Sequence, residues 1–286
     1  MSDQYLISAE DLLSRLGEPG LKIIDASWYL PAANRDPVAD FAAEHIPGAV
    51  FFDIDKVVDP ASTLPHALAS EADFSAAVRA LGIDDGDEIV AYDTAGLFSA
   101  ARLWWNFRLA GATKIRVLDG GLPAWKRAGG PLESGAPVVA PGDFTARYDL
   151  ALLRTFEQVL DTVASGNGSS IVDARAGARF AGEVAEPRPG VKSGHIAGSR
   201  TVPFASLLDE AGRVKSSEDL RTVFQQAGVD LDGPIVTSCG SGVTAAVLAL
   251  GLAIIGRPDV AIYDGSWAEW GAREESSKFI ATGSAG

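Results

Sequence analysis

The sequence predicts an α/β protein of two tandem domains, each a mostly parallel sheet flanked by helices, and three observations predict it. A chain of 286 residues is long enough for two domains with separate cores. Short β-branched and apolar runs alternate with stretches of helical period, as in sheets covered by helices on both faces. The sequence is also written twice, the second copy offset by roughly 145–150 positions.

The duplication is specific. Leu21-Lys-Ile-Ile-Asp25 answers Ser169-Ser-Ile-Val-Asp173, and His45-Ile-Pro-Gly48 answers His195-Ile-Ala-Gly198. Glu88-Ile-Val-Ala-Tyr-Asp93 answers Pro234-Ile-Val-Thr-Ser-Cys239, and Val117-Leu-Asp-Gly-Gly121 with Trp125 answers Ile262-Tyr-Asp-Gly-Ser266 with Trp270. Residues 131–149 are rich in Pro, Gly and Ala and lack a sustained apolar period, so the chain changes domain there. We divide it into a first domain over 1–140, a linker over 141–152 and a second domain over 153–286. In the second copy the pattern predicts helices over 153–164 and 217–227, and buried strands over 170–173, 234–238 and 260–262.

Composition narrows the function. With 47% hydrophobic and 22% charged residues the chain reads as a globular protein. It has neither a basic segment followed by an apolar leader nor an apolar run approaching about 18 residues, so the expected setting is cytoplasmic, without a membrane partner. The net charge of −14, from 24 basic and 38 acidic residues, opposes nucleic-acid binding and repels anionic substrates at long range. An anion must therefore be captured by local cations. A single cysteine, Cys239, excludes an intramolecular disulfide and a cysteine-rich metal site, leaving an inert buried thiol or a reactive one.

Position favours the reactive thiol. Ile235-Val-Thr-Ser238 runs into Cys239-Gly-Ser-Gly-Val-Thr244 and then into the apolar Ala245-Ala-Val-Leu-Ala-Leu-Gly-Leu-Ala-Ile-Ile255. Strand, tight loop and helix start follow in that order, at the edge where α/β sheets bind ligands. Gly240 and Gly242 allow backbone conformations in which successive N–H groups converge on one point, and the helix adds its unpaired N–H groups. Such a cradle stabilises charge on a thiolate or on the outer sulfur of a persulfide. A phosphatase loop would carry an arginine six positions after the cysteine, where Ala245 stands, and no Lys or Arg lies between Cys239 and Arg257.

These residues resemble the two-domain rhodanese family, and the loop Cys239-Gly-Ser-Gly-Val-Thr-Ala245 is similar to its 3-mercaptopyruvate sulfurtransferase branch. The resemblance extends to His45-Ile-Pro-Gly-Ala49 and Tyr263-Asp-Gly-Ser-Trp-Ala-Glu-Trp270, and covers nearly the whole chain. It implies two rhodanese-like domains of which the first is catalytically degenerate, with Asp93 at the cysteine's equivalent position. It implies that Cys239 becomes persulfidated inside the loop of Gly240, Gly242, Val243 and Thr244. It also implies that Arg179 and Arg188 hold the donor's carboxylate and keto oxygens, a planar task suited to guanidinium. Arg175 in the same stretch is a weaker candidate with a structural alternative.

Family members place a serine, a histidine and an aspartate near the cysteine. The matching positions are Ser241, His66 and Asp55, the last two from the first copy, so the resemblance implies a site between the copies. Taken alone, His66 beside Pro65 reads as an exposed histidine, and Asp55 equally as a turn cap. His45 and His195, equivalent in both copies, read as structural, and the tryptophans as core or interface residues. Phe98 departs from the family, many members of which carry a tyrosine there.

The implied activity moves sulfur from 3-mercaptopyruvate through a Cys239 persulfide to cyanide, a small thiol or a thioredoxin-like protein, releasing pyruvate, with no metal or organic cofactor. Two alternatives stand beside it. One is thiosulfate:cyanide sulfurtransfer, which the neutral side chains of Gly240, Ser241 and Thr244 disfavour. The other is a noncatalytic sulfur-carrier or regulatory module.

Overall fold

A strand buried on both faces is built mainly from apolar residues, and Ile235–Ser238 and Glu88–Tyr92 are buried at every position but Glu88. In the computed structural model, which describes residues 4–166 and 168–283, each is the central strand of its own sheet. The chain forms two compact units. The first comprises Met1–Pro60, Leu68–Asp149 and Asp209–Val214; the second comprises Ala61–Ala67, Leu150–Leu208 and Lys215–Gly286.

The first unit contains strands β1 (Leu6–Ile7), β2 (Leu21–Asp25), β3 (Val50–Phe51), β4 (Glu88–Tyr92) and β5 (Ile115–Leu118). Its helices are α1 (Ala9–Ser14), α2 (Pro37–Ala43), α3 (Glu71–Ala80), α4 (Ala100–Leu109) and α5 (Gly121–Arg127). The five strands are parallel in the order β1-β5-β4-β2-β3. Residues 142–149 run extended along this unit. They are tied to it by Gly142 N–H to Arg79 O (2.8 Å), Arg147 N–H to Ala110 O (3.0 Å) and the buried ring of Phe144 against Phe74 and Phe107.

The second unit contains β6 (Leu153–Arg154), β7 (Ser170–Asp173), β8 (His195–Ile196), β9 (Arg200–Thr201), β10 (Ile235–Ser238), β11 (Ala261–Tyr263) and β12 (Ile280–Ala281). Its helices are α6 (Phe156–Ser165), α7 (Gly177–Phe180), α8 (Ser217–Gln226), α9 (Ala245–Ile254) and α10 (Ser266–Trp270). The main sheet repeats the first topology, all parallel, in the order β6-β11-β10-β7-β9, and β12 pairs antiparallel with β8. The duplication read from sequence is thus a duplication of fold.

One boundary differs from expectation. The helix expected over 153–164 starts at Phe156, because Thr155 and Gln158 close a reciprocal capping box and release Leu153–Arg154 to pair with β11. The α9 helix is apolar all round because all ten of its residues are buried, packed against β10, β11 and the 3-10 turn Phe204–Leu207. Trp267, Trp270, Phe156 and Val236 fill the core on the sheet's other side. Among the described residues no helix is long and apolar enough to cross a membrane.

Candidate active site

In both sheets the chain leaves the central strand toward one edge and leaves its neighbour toward the other, which opens a crevice at their C-terminal ends. In the second unit those strands are β10, which ends at Cys239, and β7, which ends in the segment carrying Arg175 and Arg179. Ser238 and Asp173 are direct partners in the ladder, so residues 65 positions apart in sequence emerge side by side.

Cys239 is 2% exposed, a thiol set into the protein rather than displayed on it. Its N–H donates to Ser266 Oγ (3.2 Å), and its carbonyl accepts from Trp267 N–H (3.0 Å). Gly242 takes the left-handed backbone (φ +80°) that turns the loop. Gly240 serves differently from the sequence expectation: a Cβ there would lie 3.2 Å from Arg179 Nη2, so its value is room for the guanidinium. Val243 is buried and Thr244, half-buried, stands at the start of α9 without a side-chain capping bond. The N–H groups of Ser241, Val243, Thr244 and Ala245 have no hydrogen-bond acceptor among the described residues.

The first unit supplies an internal comparison. Asp93 follows β4 as Cys239 follows β10, and Asp93 O accepts from Leu122 N–H (2.9 Å) as Cys239 O does from Trp267. The Asp93 carboxylate folds back into its own loop, accepting from Ala95 N–H (2.9 Å), Phe98 N–H (2.7 Å) and Ala100 N–H (2.8 Å). Burial nonetheless pushes its carboxyl pKa up, with these N–H bonds opposing. The first loop spends its donors on its own side chain; in the second, the counterparts of two of them, the Ser241 and Thr244 N–H groups, have no such acceptor among the described residues, while the third, Ala246 N–H, bonds Val243 O (3.3 Å).

Two arginines behave differently beside Cys239. Arg175, 1% exposed, bonds Asp173 (Nη2 to Oδ2 2.6 Å), Glu186 (2.9 Å) and the Gly194 carbonyl (2.8 Å), and stacks 4.5 Å from the Trp267 ring. Burial opposes its charge, but Asp173, Glu186 and the Cys239 sulfur together hold its pKa above the ordinary arginine value. With its donors engaged on protein acceptors, Arg175 is structural. Arg179, 28% exposed, pairs with the other face of Glu186 (2.5 Å) and reaches over Gly240. Glu186 thus spans both arginines, a connection that the sequence analysis did not single out. Arg188 is half-buried between Pro187 and Pro189, and no acceptor bonds its guanidinium among the described residues.

His66 belongs to the second unit. It is buried at 5% exposure rather than exposed, with Nδ1 3.0 Å from Ser241 Oγ and 3.3 Å from Ser241 O. Its backbone sits at φ +57°, a conformation that costs energy for any residue but glycine. Asp55 belongs to the first unit, where its carboxylate accepts from Trp28 Nε1 (2.8 Å). His45 and His195 repeat one structural arrangement: each Nδ1 donates to a carbonyl, of Phe41 (2.7 Å) and Phe180 (2.8 Å), and each ring stacks on that same phenylalanine.

Ser266 also escaped the sequence reading as a functional residue. The signal was there, since the duplication aligns it with Gly121.

The chain matches the Rhodanese-like domain over residues 8–128 and again over 155–273. It is 44% identical to the 3-mercaptopyruvate sulfurtransferase of Homo sapiens, over 94% of this chain and 91% of that protein. It is 43% identical to thiosulfate/3-mercaptopyruvate sulfurtransferase 1, mitochondrial, of Arabidopsis thaliana, over 96% of this chain and 78% of that protein. Among solved structures it resembles SseA from Escherichia coli, described with the fold of 3-mercaptopyruvate sulfotransferases. That match has a TM-score of 0.85 at 40% identity, covering 92% of this chain and 99% of that one.

Proposed function

The chain belongs to the rhodanese family, and we propose on that premise that it is an enzyme moving sulfur from 3-mercaptopyruvate, through a persulfide on Cys239, to a thiol or cyanide. The observation that carries this reading is the Arg179 guanidinium packed over Gly240, directly beside the cysteine, in a loop whose own side chains are neutral. A planar keto acid needs a fixed fork of donors, whereas the small dianion thiosulfate gains more from charge within the loop.

The cycle is a double displacement. Arg179 and Arg188 bind the carboxylate and keto oxygens. The Cys239 thiolate attacks the donor sulfur, the C–S bond breaks, and its electron pair passes to carbon as the enolate of pyruvate. Guanidinium donors to the keto oxygen stabilise that enolate as it develops. The proton carried by the donor sulfur moves to the carbon, giving pyruvate and a persulfide anion. The unpaired N–H groups of the loop suit that anion, as the N–H groups around the Asp93 carboxylate illustrate.

Ser241 and His66 serve the proton. The carbonyl of Ser241 beside Nδ1 favours a proton on that nitrogen, so His66 donates to the hydroxyl and leaves the serine's own hydrogen to donate onward. Asp55 completes the set that the family likeness suggests. In the second half-reaction a thiolate or cyanide takes the outer sulfur and restores the Cys239 thiolate. Cyanide, a small thiol and a thioredoxin-like protein are the proposed acceptors, and a cytoplasmic setting keeps such thiols reduced. Thiosulfate is a proposed secondary donor, in keeping with the name of the Arabidopsis relative.

The test is a side-by-side assay of pyruvate release from 3-mercaptopyruvate and thiocyanate formation from thiosulfate and cyanide, with Cys239→Ser as control. We expect the first to dominate and both to vanish in the variant. Faster turnover of thiosulfate would overturn the donor assignment, and residual activity in Cys239→Ser would overturn the nucleophile.

A further inference from the structure

Three residues other than glycine adopt a left-handed backbone among the described residues: Asn34, His66 and Ser266. Two of them bond directly to the Cys239 loop. His66 meets Ser241, and Ser266, at φ +50° and fully buried, receives the N–H of Cys239 itself. The same Ser266 hydroxyl donates to Tyr263 O (2.8 Å). One side chain therefore clips the end of β10 to the end of β11 at the point where the nucleophile leaves the sheet.

The duplicated copy shows what this turn requires for folding alone. Its equivalent residue is Gly121, at φ +54°, and the following N–H, of Leu122, bonds Asp93 O just as Trp267 N–H bonds Cys239 O. A Cβ at Gly121 would run into the Asp93 carbonyl oxygen, so that copy has no room for a side chain. The second copy makes the room and accepts an unfavourable backbone conformation for a residue with a side chain. Glycine would satisfy the turn; only a hydroxyl satisfies both the Cys239 N–H and the Tyr263 carbonyl.

We propose that Ser266 is a positioning residue for the nucleophile: its hydroxyl fixes the backbone of Cys239, and with it the line along which the sulfur meets the donor. The proposal rests on the reading of Cys239 as the sulfur-accepting nucleophile. Ser266 touches neither donor nor sulfur in this scheme, so its removal affects the chemical step and not the arginine-held binding of the substrate.

The experiment compares Ser266→Gly and Ser266→Ala with the parent protein by thermal unfolding, by kcat and KM for 3-mercaptopyruvate, and by the rate at which iodoacetamide alkylates Cys239. Ser266→Gly relieves the backbone but leaves the Cys239 N–H and the Tyr263 carbonyl unpaired, and Ser266→Ala loses the same bonds while keeping the strain, so Ser266→Gly melts above Ser266→Ala. In both variants kcat falls about tenfold or more while KM stays within about twofold, as expected for a misaimed nucleophile. Alkylation of the buried thiol quickens, because the released loop opens more often. A Ser266→Gly variant with parental kcat and parental alkylation overturns the proposal, as does a loss of kcat in Ser266→Ala that Ser266→Gly restores, since backbone strain alone would then be at issue. If the parent protein releases no pyruvate, the donor reading has failed, and the alkylation rates still decide the role of Ser266: quickened supports it, unchanged overturns it.

Discussion

His66 Nδ1 lies 3.0 Å from Ser241 Oγ, two residues along the loop from Cys239, so a buried imidazole and a hydroxyl share one hydrogen. If that pair moves the proton from donor sulfur to carbon, the two residues act as a unit. We expect His66→Ala and Ser241→Ala each to lower kcat for pyruvate release by about 10²-fold, within the usual range for lost general acid–base catalysis. The double variant should lose little more than either single one. Steady-state kinetics on the three variants checks this, and multiplying effects would show that the residues act separately.

The arginines call for a different signature. Arg179→Lys and Arg188→Lys keep the charge but lose the planar fork, so we expect KM for 3-mercaptopyruvate to rise about tenfold or more in each. Alkylation of Cys239 by a neutral reagent should be nearly unaffected. An unchanged KM in either variant would remove that arginine from the substrate site.

Arg175 should report on stability. Its removal leaves Asp173 a buried carboxylate without a cation and Glu186 with Arg179 alone, and breaking a buried pair in this way costs roughly 3–5 kcal/mol. Arg175→Met, which keeps much of the volume against Trp267, should lower the urea midpoint accordingly. A midpoint like that of the parent would mean that the network contributes nothing net.

A pH effect belongs to the first unit. Asp25 is the counterpart of Asp173, but the position matching Arg175 is Ser27, whose N–H is the donor to Asp25 Oδ1 (2.8 Å). Burial, only partly offset by Ser27, raises the Asp25 carboxyl from 3.8 to about 6. Between those values the Asp25 carboxyl binds more protons in the folded state than in the unfolded one, so the stability it contributes is fully present below about pH 4 and is lost as the pH rises through about 6. Asp25→Asn should remove this dependence and stabilise the protein at pH 7.5 by on the order of 2–3 kcal/mol, with the advantage shrinking toward pH 4.5. Thermal melts at the two pH values measure it.

How far the sequence could be read depended on whether a property was local. The strand over 170–173 and the buried strand into Cys239 were legible because apolar runs bounded by turn residues leave few other solutions. The start of α6 was misplaced because Leu153 and Arg154 gain a ladder partner, β11, more than a hundred residues away. The role of Gly240 was misread for the same reason: its neighbour Arg179 comes from another strand's end.

By itself, then, the sequence determined that one fold occurs twice, that Cys239 stands between a buried strand and an apolar helix, and that Asp93 replaces it in the other copy. Periodicity and self-similarity record those facts along the chain. Only the tertiary structure decided which arginine is committed to protein carboxylates, that His66 is buried against Ser241, and that Ser266 holds the Cys239 N–H from a strained backbone. Each of these is set by parallel strands bringing distant segments to one sheet edge, where burial and hydrogen-bond geometry select among residues that look alike in sequence.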